Sequence, residues 1–305
     1  MGEGTSGPAL VRSLGRGTTQ GFLHVAGPAS SDCCYLRPEQ TPHQINMKLS
    51  IWQLDAFSAR RFGGNPAAVV PLAEWLPDET LLAIAAENNL AETAYVVQSG
   101  DDYEIRWFTP TMEVPLCGHA TLASAWVVFY RLAPQRESVV FHSKSGPLRV
   151  DRQKERLVLD FPVHHVLPAS DPTAVSAALG KTPQEIYEGF QWLAVYAHEE
   201  EVRSLKPDMA ALLATGIHGV IATAPGTDCD FVSRFFAPAA GVPEDPVTGS
   251  AHTRLTPYWA ARLGRLSLFA RQVSTRGGEL WCELTNGRVR IAGCVTLYLE
   301  GTIEI

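Results

Sequence analysis

The sequence predicts an α+β fold, rich in antiparallel sheet and made of two related halves. Two observations carry this. Short apolar runs of strand character recur between a few helical stretches, and one such unit occurs twice. RWFTPTMEVPLCGHAT (106–121) lines up, at a spacing of 128, with RFFAPAAGVPEDPVTGSAH (234–252). Arg106, Phe108, Pro110, Val114 and Pro115 then fall opposite Arg234, Phe236, Pro238, Val242 and Pro243.

Residues 1–46 are rich in Gly, Ser, Thr and Pro and show no apolar periodicity, so they are expected to be an unstructured or extraneous leader. Alternation begins with MKLSIWQLDAF at Met47 and marks the first strand. Further strands are expected at 66–71, 92–98, 103–108 and 217–224, and helices at 78–88, 119–131, 207–214 and 250–263. The repeat divides the folded part into an N-terminal half, 47–163, and a C-terminal half, 164–291, with 292–305 expected to pack back onto the first.

The 305 residues are 46% hydrophobic and 19% charged, which is globular composition with ample core. A net charge of −7 gives no footprint for nucleic acid. No run of 18 apolar residues suggests a membrane span. Six cysteines without a CxxC pair fit reduced thiols, so a soluble cytoplasmic protein is expected. Dinucleotide, P-loop and nucleophile-elbow motifs are missing, and adjacent His164 and His165 would point to opposite faces of a strand, so neither cofactor nor metal is expected.

Both copies of the repeat run from a strand through a proline turn to Gly118–His119 or Gly249–Ser250, and then into a helix. Each presents free N–H groups and the positive end of a helix dipole, a place for a carboxylate. The competing reading is that Gly249 and Ser250 merely cap a helix. Two such starts facing one cleft would suit proton transfer beside a carboxylate, for which Glu92, Asp245, His119 and Cys117 are the candidate groups. Glu92, flanked by Leu90, Ala91, Ala94 and Val96, is expected to be partly desolvated with a raised pKa. His119 at a helix start is expected to be neutral. Asp245 could be turn chemistry alone, but it falls opposite Cys117 in the repeat.

The motifs DAFSARRFGGNPAAVV (55–70), NLAETAYV (89–96), the two repeat segments and RGGEL (276–280) together resemble the phenazine-biosynthesis (PhzF-like) isomerase family, with the animal phenazine biosynthesis-like domain-containing proteins as the nearest branch. The resemblance covers 47–305. It implies the diaminopimelate-epimerase-like fold, two pseudo-symmetric halves each with a sheet wrapped round a central helix, and a cofactor-free site between them. It places the proton-shuttling role on Glu92 and makes His119 and Asp245 its partners. Asn65, Gly118, Gly249 and Ser250 become substrate-binding residues. Cysteine-pair epimerase chemistry is ruled out by Asp245 in the second position. The expected partner is a small carboxylate, and a homodimer is common in such proteins. A rival reading is an interaction protein that keeps the fold, and a third is a cysteine enzyme built on Cys117.

Overall fold

The computed structural model describes residues 47–305; the leader expected over 1–46 lies outside the described residues. The first half contains β1 (Lys48–Ala56), β2 (Asn65–Leu72), α1 (Asp78–Asn88), β3 (Glu92–Ser99), β4 (Asp102–Phe108), β5 (Glu113–Val114), α2 (Gly118–Val127), β6 (Ser138–Ser143), β7 (Gly146–Gln153) and β8 (Arg156–Pro162). The second contains β9 (Leu167–Pro168), α3 (Thr173–Leu179), β10 (Glu185–Glu188), β11 (Trp192–Val195), α4 (Glu199–Arg203), α5 (Met209–Ala214), β12 (Val220–Pro225), β13 (Phe231–Ala237), β14 (Val242–Asp245), α6 (Gly249–Leu263), β15 (Ser267–Gln272), β16 (Gly278–Thr285), β17 (Arg288–Gly293) and β18 (Val295–Glu304).

The strands pair by one scheme used twice. From β1 to β8 the pairs β2–β3 and β4–β6 are parallel and the others antiparallel. From β10 to β17 the parallel pairs are β11–β12 and β13–β15, at the same places in the scheme. The last strands of the two schemes, β8 and β17, pair antiparallel and join the halves. The strand following each then crosses to the other side, β9 onto β10 and β18 onto β1.

The repeated arginines do the same work in both halves. Arg106 on β4 donates from Nε and Nη2 to Glu113 at 2.9 and 2.8 Å and lies over the Phe108 ring. Arg234 on β13 does so with Glu244 at 2.7 and 2.8 Å, over Phe236. Each side-on pair ties the end of a strand to the turn that leads to a central helix.

Each sheet curls round one such helix. α2 is composed mainly of small and aliphatic residues and is buried on all sides, so it needs no polar face. Its Thr121 and Ser124 hydroxyls donate to carbonyls four residues back, at 2.5 and 2.8 Å. α6 carries Pro257, which cannot donate to the Thr253 carbonyl one turn earlier; the backbone N–H of His164 takes that acceptor at 3.2 Å. The inner core joins both helices to both sheets, while α1 and then α3, α4 and α5 cover the outer faces in two separate apolar clusters. Among the described residues no helix is long and apolar enough to cross a membrane.

The expected strand at 217–224 begins only at Val220, because Gly216 and Gly219 end one element and lead into the next. The helix expected over 119–131 starts at Gly118 and widens into a π-type turn at Val128–Leu132. The one expected at 207–214 starts at Met209, capped by the Asp208 carboxylate, and that expected at 250–263 starts at Gly249.

Ile291 on β17 is fully buried opposite Leu159 where the halves join. Ile291→Ala is expected to lower unfolding free energy by about 2–5 kcal/mol. Arg290→Ala, on the outward side of the same strand, is expected to cost less than about 1 kcal/mol. Urea denaturation checks both, through the midpoint at unchanged slope.

Candidate active site

The site is assembled where the two central helices begin. A Cβ built on Gly118 would lie 3.7 Å from the Cα of Gly249, and one on Gly249 would lie 3.8 Å from the Cα of Gly118, so the helix starts touch. Their N-cap residues, Cys117 and Thr248, are both extended, and neither caps its helix through its side chain. Thr248 is the residue type expected to cap, yet its hydroxyl donates to Asp245 Oδ2 at 2.5 Å. The first-turn N–H groups of both helices are thus left for an anion. Ser250 lies inside α6, so it does not cap the helix either.

Asn65 enters at the start of β2 through a loop that needs glycine. Gly64 has φ +65°, and a Cβ there would sit 2.1 Å from the Ala56 carbonyl oxygen. The RGGEL turn holds this loop: Arg276 donates to Asp55 at 2.6 Å and to the Gly63 and Gly64 carbonyls, and Gly64 N–H donates to Gly277 at 2.7 Å. Glu92 opens β3 just after Asn89 ends α1 in the left-handed conformation, and Asn88 pins the turn through Thr93 at 3.1 Å.

These elements bring Glu92, His119, Asp245, Asn65 and Cys117 together. Glu92 Oε2 lies 3.1 Å from His119 Nε2, with side-chain exposures of 18% and 6%. The imidazole N–H does not point along that line, and the buried Oε2 has no aligned hydrogen bond among the described residues. On its other side His119 Nδ1 is 3.2 Å from Asn65 Nδ2. That same amide nitrogen donates to Asp245 Oδ1 at 2.7 Å and to the Val247 carbonyl at 3.0 Å. Asn65 is fully buried. Its amide nitrogen bridges the two halves, while its Oδ1 has no hydrogen-bond partner among the described residues.

Gly118 and Gly249 form the floor. Ser250 Oγ accepts from Gln191 Nε2 at 3.3 Å. Sequence reasoning missed Thr248 and Gln272, whose side chain accepts from Thr248 N–H at 2.8 Å and donates to the Asp245 carbonyl at 2.7 Å. Thr248 could have been found as the N-cap type before a helix-starting glycine; Gln272 lies on a distant strand and carries no local signal. RGGEL both supports the loop and begins β16.

The titrating groups are coupled. Burial pushes the Asp245 carboxyl up to about 6; the Glu92 charge adds to this, while His119 and the Thr248 and Asn65 hydrogen bonds oppose it. Burial disfavours the His119 imidazolium, but the Cys117 sulfur and the Glu92 carboxylate outweigh it and the pKa moves up. That direction is opposite to the one the helix start alone would give. Burial, then the Glu92 charge, push the Cys117 thiol up to about 11, which suits a lining group and not a nucleophile. Ligand atoms of Glu92, Cys117 and His119 lie within 4.8 Å of one another. That is the one cluster among the described residues able to hold a metal, and sequence spacing did not reveal it.

Repeated halves whose central helices begin against each other, with Glu92, His119 and Asp245 beside that junction, have the architecture of the diaminopimelate-epimerase-like fold. The chain belongs to the phenazine biosynthesis-like (PhzC/PhzF) family, whose profile matches residues 54–301. It is 53% identical over 260 residues to an uncharacterized isomerase of Pseudomonas aeruginosa, covering 85% of this chain and all of that protein. It is 42% identical to the human phenazine biosynthesis-like domain-containing protein, across 84% of this chain and 99% of that one. A crystal structure of a PhzF-family protein from Enterococcus faecalis superposes with TM-score 0.83 at 45% identity, over 85% of this chain and all of that one. A hydroxyproline epimerase from Agrobacterium vitis, 13% identical with TM-score 0.58 over 85% of this chain and 93% of its own, shares the fold alone.

Because the folded protein holds the Asp245 proton to higher pH than the unfolded chain does, this group's contribution to stability falls as pH rises from about 4 to about 6. Asp245→Asn is expected to gain stability relative to wild type over that window, by on the order of 1–3 kcal/mol, in urea titrations at pH 4.5 and 7. Iodoacetamide is expected to modify Cys117 at pH 7.5 at least roughly tenfold more slowly in the native than in the unfolded protein, read by peptide mass spectrometry.

Proposed function

We propose that this protein is a cofactor-independent isomerase that moves a proton within a small carboxylate. Glu92 is the base that takes the proton from a carbon beside a conjugated or carboxylate group and returns it elsewhere. The observation that carries this reading is the Glu92 oxygen, buried and without an aligned donor, 3.1 Å from His119 and beside two open helix starts.

The roles follow from that geometry. The substrate carboxylate lies against the N–H groups of the turns that begin at Gly118 and Gly249, with Ser250 as an added hydroxyl. Negative charge developing on the substrate meets dipoles already oriented, so little reorganisation is needed when the proton leaves. His119 neighbours Glu92 at 3.1 Å and stands between it and Asn65. Asp245 fixes His119 through Asn65, and Thr248 and Gln272 hold Asp245 in place. General acid/base catalysis of this kind contributes about 10²–10⁴ in rate.

Incubation of unsaturated and cyclic carboxylates in deuterium oxide, read by mass spectrometry, tests the assignment. Wild type is expected to incorporate solvent deuterium into at least one of them, and Glu92→Gln is expected to slow this by about 10²–10⁴ with the fold intact. Undiminished incorporation in that variant would remove Glu92 from the role.

A further inference from the structure

Arg254 is the one buried lysine or arginine among the described residues, with 6% exposure, and no carboxylate lies within ion-pair distance of it. An unpaired buried cation is costly and calls for a reason. Its Nη1 donates to Gln191 Oε1 at 3.0 Å, while Nε is buried without an acceptor, and Nη2 has none among the described residues. Nε and Nη2 form the edge that Arg106 and Arg234 use to grip both oxygens of a glutamate in this same chain. Arg254 presents that edge with no internal carboxylate to fill it.

Its place relates it to the cleft. Arg254 lies one helical turn beyond Ser250 on α6, roughly 6 Å along the axis, and helical side chains lean back toward the N-terminus. Gln191 connects the two, since its amide nitrogen donates to Ser250 Oγ at 3.3 Å while its oxygen accepts from Arg254. The surroundings are basic or neutral. His164 is held to α6 by its backbone N–H and by a ring contact of 3.0 Å with Thr253. His218 is stacked on Phe190 with ring centres 4.3 Å apart. Burial, and then the charge of Arg254, lower the pKa of both histidines, so neither adds a second positive charge beside the guanidinium at pH 7.

We infer that Arg254, with Gln191, forms a second anion subsite beside the helix starts, so that the substrate is a small dianion bearing a second acidic group, most simply a dicarboxylate. This rests on the isomerase reading for the word substrate, though the subsite stands on its own residues. The cleft is then polarised: Glu92, His119 and Asp245 handle the proton at one wall, and Arg254 anchors the far end of the molecule at the other. Anchoring a remote group by a bidentate guanidinium fixes which carbon faces Glu92.

Calorimetric titration with butyrate, succinate, glutarate, adipate and 3-phosphonopropionate tests this in wild type, Arg254→Gln and Arg254→Lys. At least one dianion is expected to bind wild type tenfold or more tighter than butyrate. Arg254→Gln is expected to lose that tenfold while its butyrate affinity stays within twofold, and Arg254→Lys to fall between. Preference for phosphonopropionate over succinate identifies the second acid as a phosphate type, and the reverse as a carboxylate. A read-out that needs no substitution is the arginine Nε–H spectrum of the nitrogen-labelled wild type: one cross-peak is expected to move with the preferred dianion and not with butyrate. Equal binding of mono- and dianions by wild type, unchanged dianion affinity in Arg254→Gln, or no moving Nε–H signal overturns the subsite. Deuterium exchange separates the two readings. Glu92-dependent exchange with no Arg254 effect leaves the isomerase and removes the subsite; Arg254-dependent binding without exchange does the opposite.

Discussion

Two helices that begin against each other at Gly118 and Gly249 set the terms for the rest of the molecule. Each start carries roughly half a positive charge, so bringing two together is unfavourable unless negative charge is nearby. The chain supplies it: Glu92 stands next to the second residue of α2, and Asp245 sits three residues before the N-cap of α6. The sheets in turn wrap the helices so closely that α2 has no polar face, which forces its hydroxyls back onto its own carbonyls. Scaffold and electrostatics are therefore one problem, solved at the line where the halves meet.

The scaffold is repeated, whereas the chemistry is not. Both halves keep the strand scheme, the arginine–glutamate pair and the glycine that begins the central helix. At the next position one half has His119 and the other Ser250; at the N-cap one has Cys117 and the other Thr248. Asn65 spans the difference by touching His119 in its own half and Asp245 in the other with a single nitrogen. Such a bridge makes the protonation of His119 and Asp245 a joint property, as expected for groups this close in a poorly solvated place.

Much of this is legible in the amino-acid sequence. Strict spacing between Arg106 and Arg234 exposed the duplication because identical strand-and-turn geometry demands similar residues at similar intervals. The helix starts were legible for the same reason, since glycine followed by His or Ser after a proline turn has few alternatives. Contacts made across the sequence were not. Gln272 reaches Thr248 from a strand 24 residues away, and nothing in its neighbourhood distinguishes it from a surface glutamine. The Glu92 carboxylate reaches His119 from β3, so the helix dipole alone gave the opposite direction for that imidazole. Arg254 reads in sequence as one polar residue on a mixed helix; only the missing carboxylate, visible in three dimensions, makes it unusual.

The exchange of strands between the halves has a consequence for how the chain comes into being. Among the described residues β1 leaves the ribosome before every other strand, yet its antiparallel partner β18 follows all of them, paired from Lys48 with Glu304 to Ala56 with Val295. The first half can form its helix and most of its sheet during synthesis, but one edge stays open until translation reaches β18. An open edge is a template for other chains. The nascent chain thus passes through a stage in which β1 waits with one edge unpaired, and the arrival of β18 covers it.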